Sequence, residues 1–443
     1  MRHYGAIILV TSALVSGAAF AAKLEHAAIA EPVIVATVDA AALGIGRISS
    51  AIVDGDQLVI AASDGVAVIG ADGAALWVAK LPHADLRSVA ADATGVAVVS
   101  QDLKDSTPGA LLSFIGGELT KLPDHANTTL HLLDRQNAGA VLWTLPFDTA
   151  TRATPPALTE SRVALGDGKT LLVLNRADGT VGASGKTVNQ AGDYIASLGL
   201  LSGLEGVVLR GATRTRPLWS KGGFYSTFAA TFSKVDGDSG KSVFRHNTFG
   251  LFTPFQNITA GPALLGDKIV FANTAQPIPG AMASPKPSVF MGAADGDEEW
   301  SESVDDDRSG VGSLAVHKDR IYVATNFVVA AYDAEGDDLW TAENAKKKGA
   351  VGYSKYRGVR YKGGWAARTS LGDCLAVDDR FVYVSASEGI GPGSRDLVTV
   401  LDAAKGKYVT SIDPKGDVID LQLIGGNLAV VGFDQVRIIK PPQ

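Results

Sequence analysis

Along most of the chain, apolar and polar residues alternate with period two in short runs, and Gly, Asp and Asn punctuate the gaps. That period puts successive side chains on opposite faces, so the runs predict β-strands rather than helices. Three stretches align with one another: "DQLVIAASDGVAVIGADGAALW" (56–77), "SRVALGDGKTLLVLNRADGTV" (161–181) and "KDRIYVATNFVVAAYDAEGDDLW" (318–340). Each reads as an apolar strand, a break, a second strand ending in Asp or Asn, a Gly turn and a third strand. The segments 266–300 and 379–409 repeat the pattern, the first with an insertion and the second with Val409 in the place of the Trp. "AATFSKVDGDSGKSVF" (229–244) and "TTLHLLDRQNAGAVLW" (128–143) keep the second hairpin, the former with Phe244 in the Trp place.

The Asx–Gly turns are hairpin chemistry, because Gly accepts positive φ and Asp or Asn bonds its own backbone. Turn glycines fall at 73, 139, 179, 240, 296, 336 and 406. The Asp before them recurs as Asp72, Asp236, Asp295, Asp333 and Asp402. An active site needs one such acid, whereas a repeat needs one per unit, so these are turn residues. Four-stranded antiparallel meanders bury both faces when stacked radially around an axis, which makes the expected fold all-β, a β-propeller. The tail 416–440 offers three strands, and "EPVIVATVD" (31–39) supplies a fourth from the other end. The seven turns and this composite blade predict eight blades closed by N- and C-terminal strands. Seven is the alternative, because "GALLSFIGGELTKL" within 89–145 also reads as a hairpin.

The Asp-x-x-x-Gly-x-x-x-Trp pattern resembles the repeat of the PQQ-like, quinoprotein-type β-propeller family, over most of residues 46–443. Asp236–Gly240–Phe244 and Asp402–Gly406 keep the Asp–Gly spacing, and Asp72–Gly73–Trp77 and Asp333–Gly336–Trp340 shorten it. The resemblance implies that Trp77, Trp143, Trp300 and Trp340 dock each blade on its neighbour. The family holds enzymes and non-enzymes, so it leaves activity open. Its PQQ-dependent alcohol dehydrogenases carry a vicinal Cys pair and a calcium site, whereas this chain has one Cys. The non-catalytic, BamB-like branch is therefore the first reading, with no cofactor, and a PQQ-dependent dehydrogenase of alcohols or sugars is the alternative.

The remaining composition sharpens this. "MRHYGAIILVTSALVSGAAFAAKLEH" has a basic start, an apolar centre and an Ala-x-Ala site, which predicts a signal peptide over 1–21 and a single propeller domain over 22–443. No Cys adjoins that site, so no lipid anchor is expected, and the protein is expected to be periplasmic or secreted. The apolar run is too short for a membrane span. A net charge of −7 argues against nucleic acid as a partner. Cys374 reads as a small buried hydrophobe. "GDSG" (237–240) lies in a hairpin turn, the "GKT" and "GKS" tripeptides lack the first Gly of a phosphate loop, and the scattered His lack metal-ligand spacing.

Two basic, aromatic segments break the repeat and read as inserted loops: 209–224 and 344–370. They nominate Arg214, Arg216, Lys221, Arg357, Arg360, Lys362, Trp365 and Arg368 as an anion site, with Arg for carboxylate or phosphate and aromatic rings for stacking. The expected partner is a protein, an acidic small molecule or a glycan, and no catalytic or metal-binding residue is nominated.

Overall fold

The computed structural model describes residues 29–104, 124–147, 153–166, 170–186, 215–228, 231–247, 256–275, 288–293, 295–304, 312–325, 328–343, 359–361, 364–366, 375–388 and 395–443. Seven consecutive four-stranded antiparallel sheets span 48–80, 86–147, 157–186, 218–247, 256–303, 313–343 and 375–412. The eighth joins three C-terminal strands (Asp420–Ile424, Asn427–Val431, Gln435–Ile439) to Ile34–Asp39 from the other end of the chain. The fold is an eight-bladed β-propeller. Strands A to D run from the axis outward in each blade. The region 86–147 forms one blade, which settles the count at eight rather than seven.

Because each sheet is covered on both faces, its middle strands run largely apolar rather than merely alternating. Strand Gln57–Ala62 shows how this works. Leu58, Ile60 and Ala62 face Ala429, Val431 and Ile438 of blade 8. Val59 and Ala61 face Val89, Val96 and Val98 of blade 2. Blades 4 and 5 meet through aromatic rings instead, with Phe232 stacked on Phe271 at 4.6 Å and Phe271 on Phe290 at 5.3 Å.

All seven turn glycines have positive φ, from 65° at Gly406 to 101° at Gly296. The Asp carboxylates cap the turns: Asp402 Oδ1 accepts from the amides of Ala404 (3.0 Å) and Lys405 (2.8 Å), and Asp236 Oδ1 from that of Ser239 (2.7 Å). Ser239 of the "GDSG" stretch also gives its hydroxyl hydrogen to Asp236, at 2.7 Å. In blades 1 to 7 the D strand carries a bulge just after the turn. In blade 7 the bulge corrects one assignment. Val400 pairs with Thr410 as Ala331 pairs with Trp340, so Thr410, not Val409, stands in the Trp place.

Ring closure is a long-range strand pairing, with Ala36 opposite Ile438 and Val38 opposite Val436. A two-residue strand, Ile29–Ala30, adds in parallel to the outer edge of blade 7 before the chain crosses to blade 8. The first half of 209–224 precedes strand A of blade 4, but Leu218–Ser220 and the strand Gly223–Phe228 belong to the blade itself, so that insertion ends earlier than its sequence suggests. Among the described residues no helix is long and apolar enough to cross a membrane.

Candidate functional site

Antiparallel meanders sort every connection to one of two faces. A–B and C–D turns share the first, where connections have two to five residues. B–C links and inter-blade crossovers share the second. All the long connections leave from that second face: 105–123, 187–217, 276–287 and 344–374 among them.

The turn face is cross-braced by ion pairs between successive blades. Arg135 of blade 2 contacts Asp54 and, at 2.8 Å, the Gln57 amide oxygen of blade 1. Arg176 of blade 3 forks onto Asp92 of blade 2 at 2.5 and 2.9 Å. Burial acts to raise the Asp92 pKa, but the Arg176 guanidinium and the amides of Thr94 and Gly95 outweigh it and hold the carboxyl at about 2. Lys221 of blade 4 meets Asp267 of blade 5 at 3.1 Å. Asp379 of blade 7 takes Lys318 at 2.6 Å and His317 at 2.7 Å from blade 6. Two- and three-point bracing of this kind fixes the angle between blades.

The tryptophans occupy the seams. A Cβ added to Gly139, Gly179, Gly336 or Gly406 would fall 2.3–2.8 Å from the ring of Trp77, Trp143, Trp300 or Trp340, respectively, in the preceding blade. Three of the indoles also donate to the next blade: Trp143 to the Arg176 carbonyl at 2.7 Å, Trp300 to that of Ala334 at 3.1 Å, and Trp340 to that of Ala403 at 3.1 Å. At the seam after blade 3, Ala183 lies against Gly240 in place of a Trp.

Sequence reasoning missed Arg87, on the innermost strand of blade 2 and 1% exposed. Its guanidinium donates to Ser100 Oγ at 2.9 Å, to the Ala62 carbonyl of blade 1 at 2.7 Å and to the Pro82 carbonyl. Burial lowers its pKa to about 10, against the pull of Asp64 and Asp102, so it stays charged at neutral pH. Nearby His131 is pushed down to about 4, first by burial and then by the Arg87 charge. Neither residue carries a motif. Their signal is a polar letter inside an apolar run.

Four of the anion-site candidates, Arg216, Lys221, Arg360 and Trp365, lie among the described residues. Arg216 lines a cavity of about 640 Å³ where the inner strands of blades 2, 3 and 4 converge, and donates to the Val89 carbonyl of blade 2 at 2.7 Å. Lys221 sits on the turn face in the pair with Asp267, away from the long connections. Arg360 and Trp365 pair across a small hairpin (Val359–Tyr361, Gly364–Ala366) inside the crossover between blades 6 and 7. Arg214, Arg357, Lys362 and Arg368 lie outside the described residues, as does Cys374.

No family model matches the chain, and no curated protein matches it in sequence. In fold it is similar to BamB from Moraxella catarrhalis, with a TM-score of 0.59 and 13% identity, over 93% of this chain and 100% of that one. It is also similar to the C-terminal WD40 domain of Sif2, with a TM-score of 0.56 and 11% identity, over 94% of this chain and 100% of that one. Both are propellers matched over their whole length, and the likeness is one of fold.

The described lining of the cavity can be tested against PQQ. A planar tricarboxylate asks for several converging cations, but this lining offers one guanidinium and adds the carboxylate of Glu160, beside Trp219, the hydroxyls of Thr159 and Ser161, and alanine, leucine and proline. Among the described residues no three His, Cys, Asp or Glu side chains converge for a metal. The described lining holds fewer cations than that group would ask for.

Proposed function

We propose that the chain is an exported, non-catalytic β-propeller of the PQQ-like repeat type that works as a binding scaffold, meeting a protein or an anionic partner through its second face. The observation that carries this is the asymmetry of the two faces. The turn face is built from minimal hairpins braced by ion pairs, whereas every long connection, including the basic segment 344–370, departs from the other. Loops set on a rigid scaffold are where binding residues concentrate. The leader-like segment 1–21 supports export, and the turn repeats support the PQQ-like assignment. The two propellers it resembles fit a binding role in general terms.

The test replaces 345–368 with a short Gly-Ser linker and, separately, reverses charge at Arg357, Arg360 and Arg368. Binding of a sulfated oligosaccharide and of citrate is followed by calorimetry, with circular dichroism to confirm the fold. Loss of binding in both variants is the expected result, and unchanged binding refutes the assignment of that face. Incubation with PQQ and calcium, followed by dye-linked oxidation of alcohols and aldoses, probes the catalytic alternative. Turnover there would overturn the scaffold reading.

A further inference from the structure

The outer edge of a sheet presents unpaired N–H and C=O groups, and proteins commonly blunt such edges with charge. The outermost strands of blades 4, 5 and 6 are blunted in this way. Arg245 stands in the first, Glu298, Glu299 and Glu302 in the second, and Asp338 in the third. The outermost strand of blade 1, Ala75–Lys80, is not. Its sequence is ALWVAK, and its one charge, on Lys80, is folded back onto the carbonyls of Leu43 and Gly44. Leu76 is 51% exposed. Val33, Ile34 and Val35 at blade 8 and Val141 and Leu142 on blade 2 are exposed as well, so an aliphatic flank extends to either side of it around the rim.

The backbone of this strand is also open. Leu81 donates to the Asp64 carbonyl at 3.1 Å, so its N–H points into the blade. Alternation along the strand then turns the N–H and C=O of Val78 and Lys80 outward, where no described strand meets them. Blade 7 shows how such an edge is filled. There Ile29–Ala30 lies in parallel along the outermost strand, with Ile29 opposite Ser411 and Ala30 opposite Ile412. Both outermost strands carry the same bulge. Thr410 and Trp77 are the first residues paired beyond it, so Ser411 and Ile412 correspond to Val78 and Ala79. An apolar, uncharged segment therefore occupies on blade 7 the positions that stand open on blade 1.

We propose that the outer edge of Ala75–Lys80 is a docking site for an extended, uncharged, β-branched segment of a partner protein, added as a fifth strand as Ile29–Ala30 is on blade 7. Main-chain bonds to Val78 and Lys80 supply the affinity, and the aliphatic flank around Leu76 selects against charge. The rim of the ring is convex. A second propeller would touch it over about one strand and fall short of the roughly 800 Å² per partner of a stable interface. A single extended segment loses no contact to that curvature. The site lies on the rim, away from the long connections, so it and the second-face reading can fail separately.

The probe is a dye-labelled, acetylated Thr-Val-Thr-Val-Thr-Val peptide, titrated by fluorescence anisotropy, with hydrogen exchange of the protein followed by mass spectrometry. It is expected to bind with a Kd below about 1 mM and to slow exchange within Ala75–Lys80. The same peptide N-methylated at every residue keeps its side chains but loses its donors, and should bind at least about tenfold more weakly. Val78→Pro removes an outward N–H without touching the ladder and should also weaken binding about tenfold, whereas Val78→Ala keeps that donor and should stay within about threefold. Leu76→Glu gives this edge the kind of charge that blade 5 carries and should weaken binding about threefold or more. The 345–368 linker variant should bind the peptide as the intact protein does. The proposal is overturned if no binding is seen at about 1 mM. It is equally overturned if the N-methylated peptide binds as tightly, if Val78→Pro changes nothing in a protein of intact circular dichroism, or if the slowed exchange falls outside that strand. Sedimentation that finds the peptide-free protein dimeric, with this strand already protected, would overturn it by making a second copy the occupant. Flotation with phospholipid vesicles that Leu76→Glu abolishes would do the same for a lipid surface.

Discussion

The seam between blades 6 and 7 makes a quantitative prediction. Gly406 has φ +65°, and a methyl group there would come within 2.3 Å of Trp340 Cε3. Trp340 cannot slide away, because it is buried and its indole donates to the Ala403 carbonyl of the same turn at 3.1 Å. Gly406→Ala therefore carries two costs: about 1–2 kcal/mol for a left-handed alanine and about 1–3 kcal/mol for overpacking against the ring. Gly266→Ala isolates the first cost, since Gly266 has φ +62° with no other atom within 4 Å of the added methyl. Trp340→Ala should cost about 3–5 kcal/mol as a large buried truncation. In that background Gly406→Ala should cost no more than Gly266→Ala does. The double-mutant cycle then closes with about 1–3 kcal/mol of coupling, the pair being less destabilised than the sum. Urea denaturation of the four proteins and the Gly266 control measures it. Coupling below about 0.5 kcal/mol would refute the claim that ring and glycine are locked together.

Other outcomes follow from titratable groups and from closure. Asp92, held at about 2 by Arg176, stabilises the fold above the unfolded carboxyl pKa and loses that contribution as pH falls through about 2. After discounting for partial exposure, Asp92→Asn should cost about 1 kcal/mol near neutral pH and flatten acid unfolding curves below about pH 4. His131 works the other way in its cause: burial lowers it from 6.5 to about 4, so the unfolded chain takes up a proton that the folded one refuses. Stability should decline by about 3 kcal/mol as pH falls from about 6.5 to about 4 and then level off. His131→Gln should remove that slope, and an NMR titration should find the ring neutral at pH 6. Deleting residues 1–39 removes the outer strand of blade 8 and exposes Val436 and Ile438; hydrogen exchange should show the last blade unprotected, and protection unchanged there would refute strand closure.

The fold was legible because its determinants are local. Each Asx–Gly turn is set by a few adjacent residues, and Asp236, Asp333 and Asp402 cap the turns that their spacing implies. The composite blade was readable for the same reason: three strands at one end lacked a fourth, and 31–39 alternated correctly. The bulge that puts Thr410 rather than Val409 at the seam was not legible, since one extra residue leaves no mark on composition. The candidate site was harder, because convergence of distant segments is a property of the ring and not of any window. Arg216 and Lys221 are close in sequence, yet one lines a cavity and the other braces a turn.

The pairing of Ala36 with Ile438 joins residues about four hundred positions apart. A chain made from its N-terminus onward therefore holds an unmatched outer strand from nearly the first moment of synthesis until the last. Until then blade 1 lacks its neighbour and Ile48, Leu58 and Ile60 face water. A chain cut short upstream of 420 lacks the three strands that pair with Ile34–Asp39 and cover that side of blade 1. Completion of the polypeptide is thus read out as structure, and a single pair of strands serves as the check that nothing is missing.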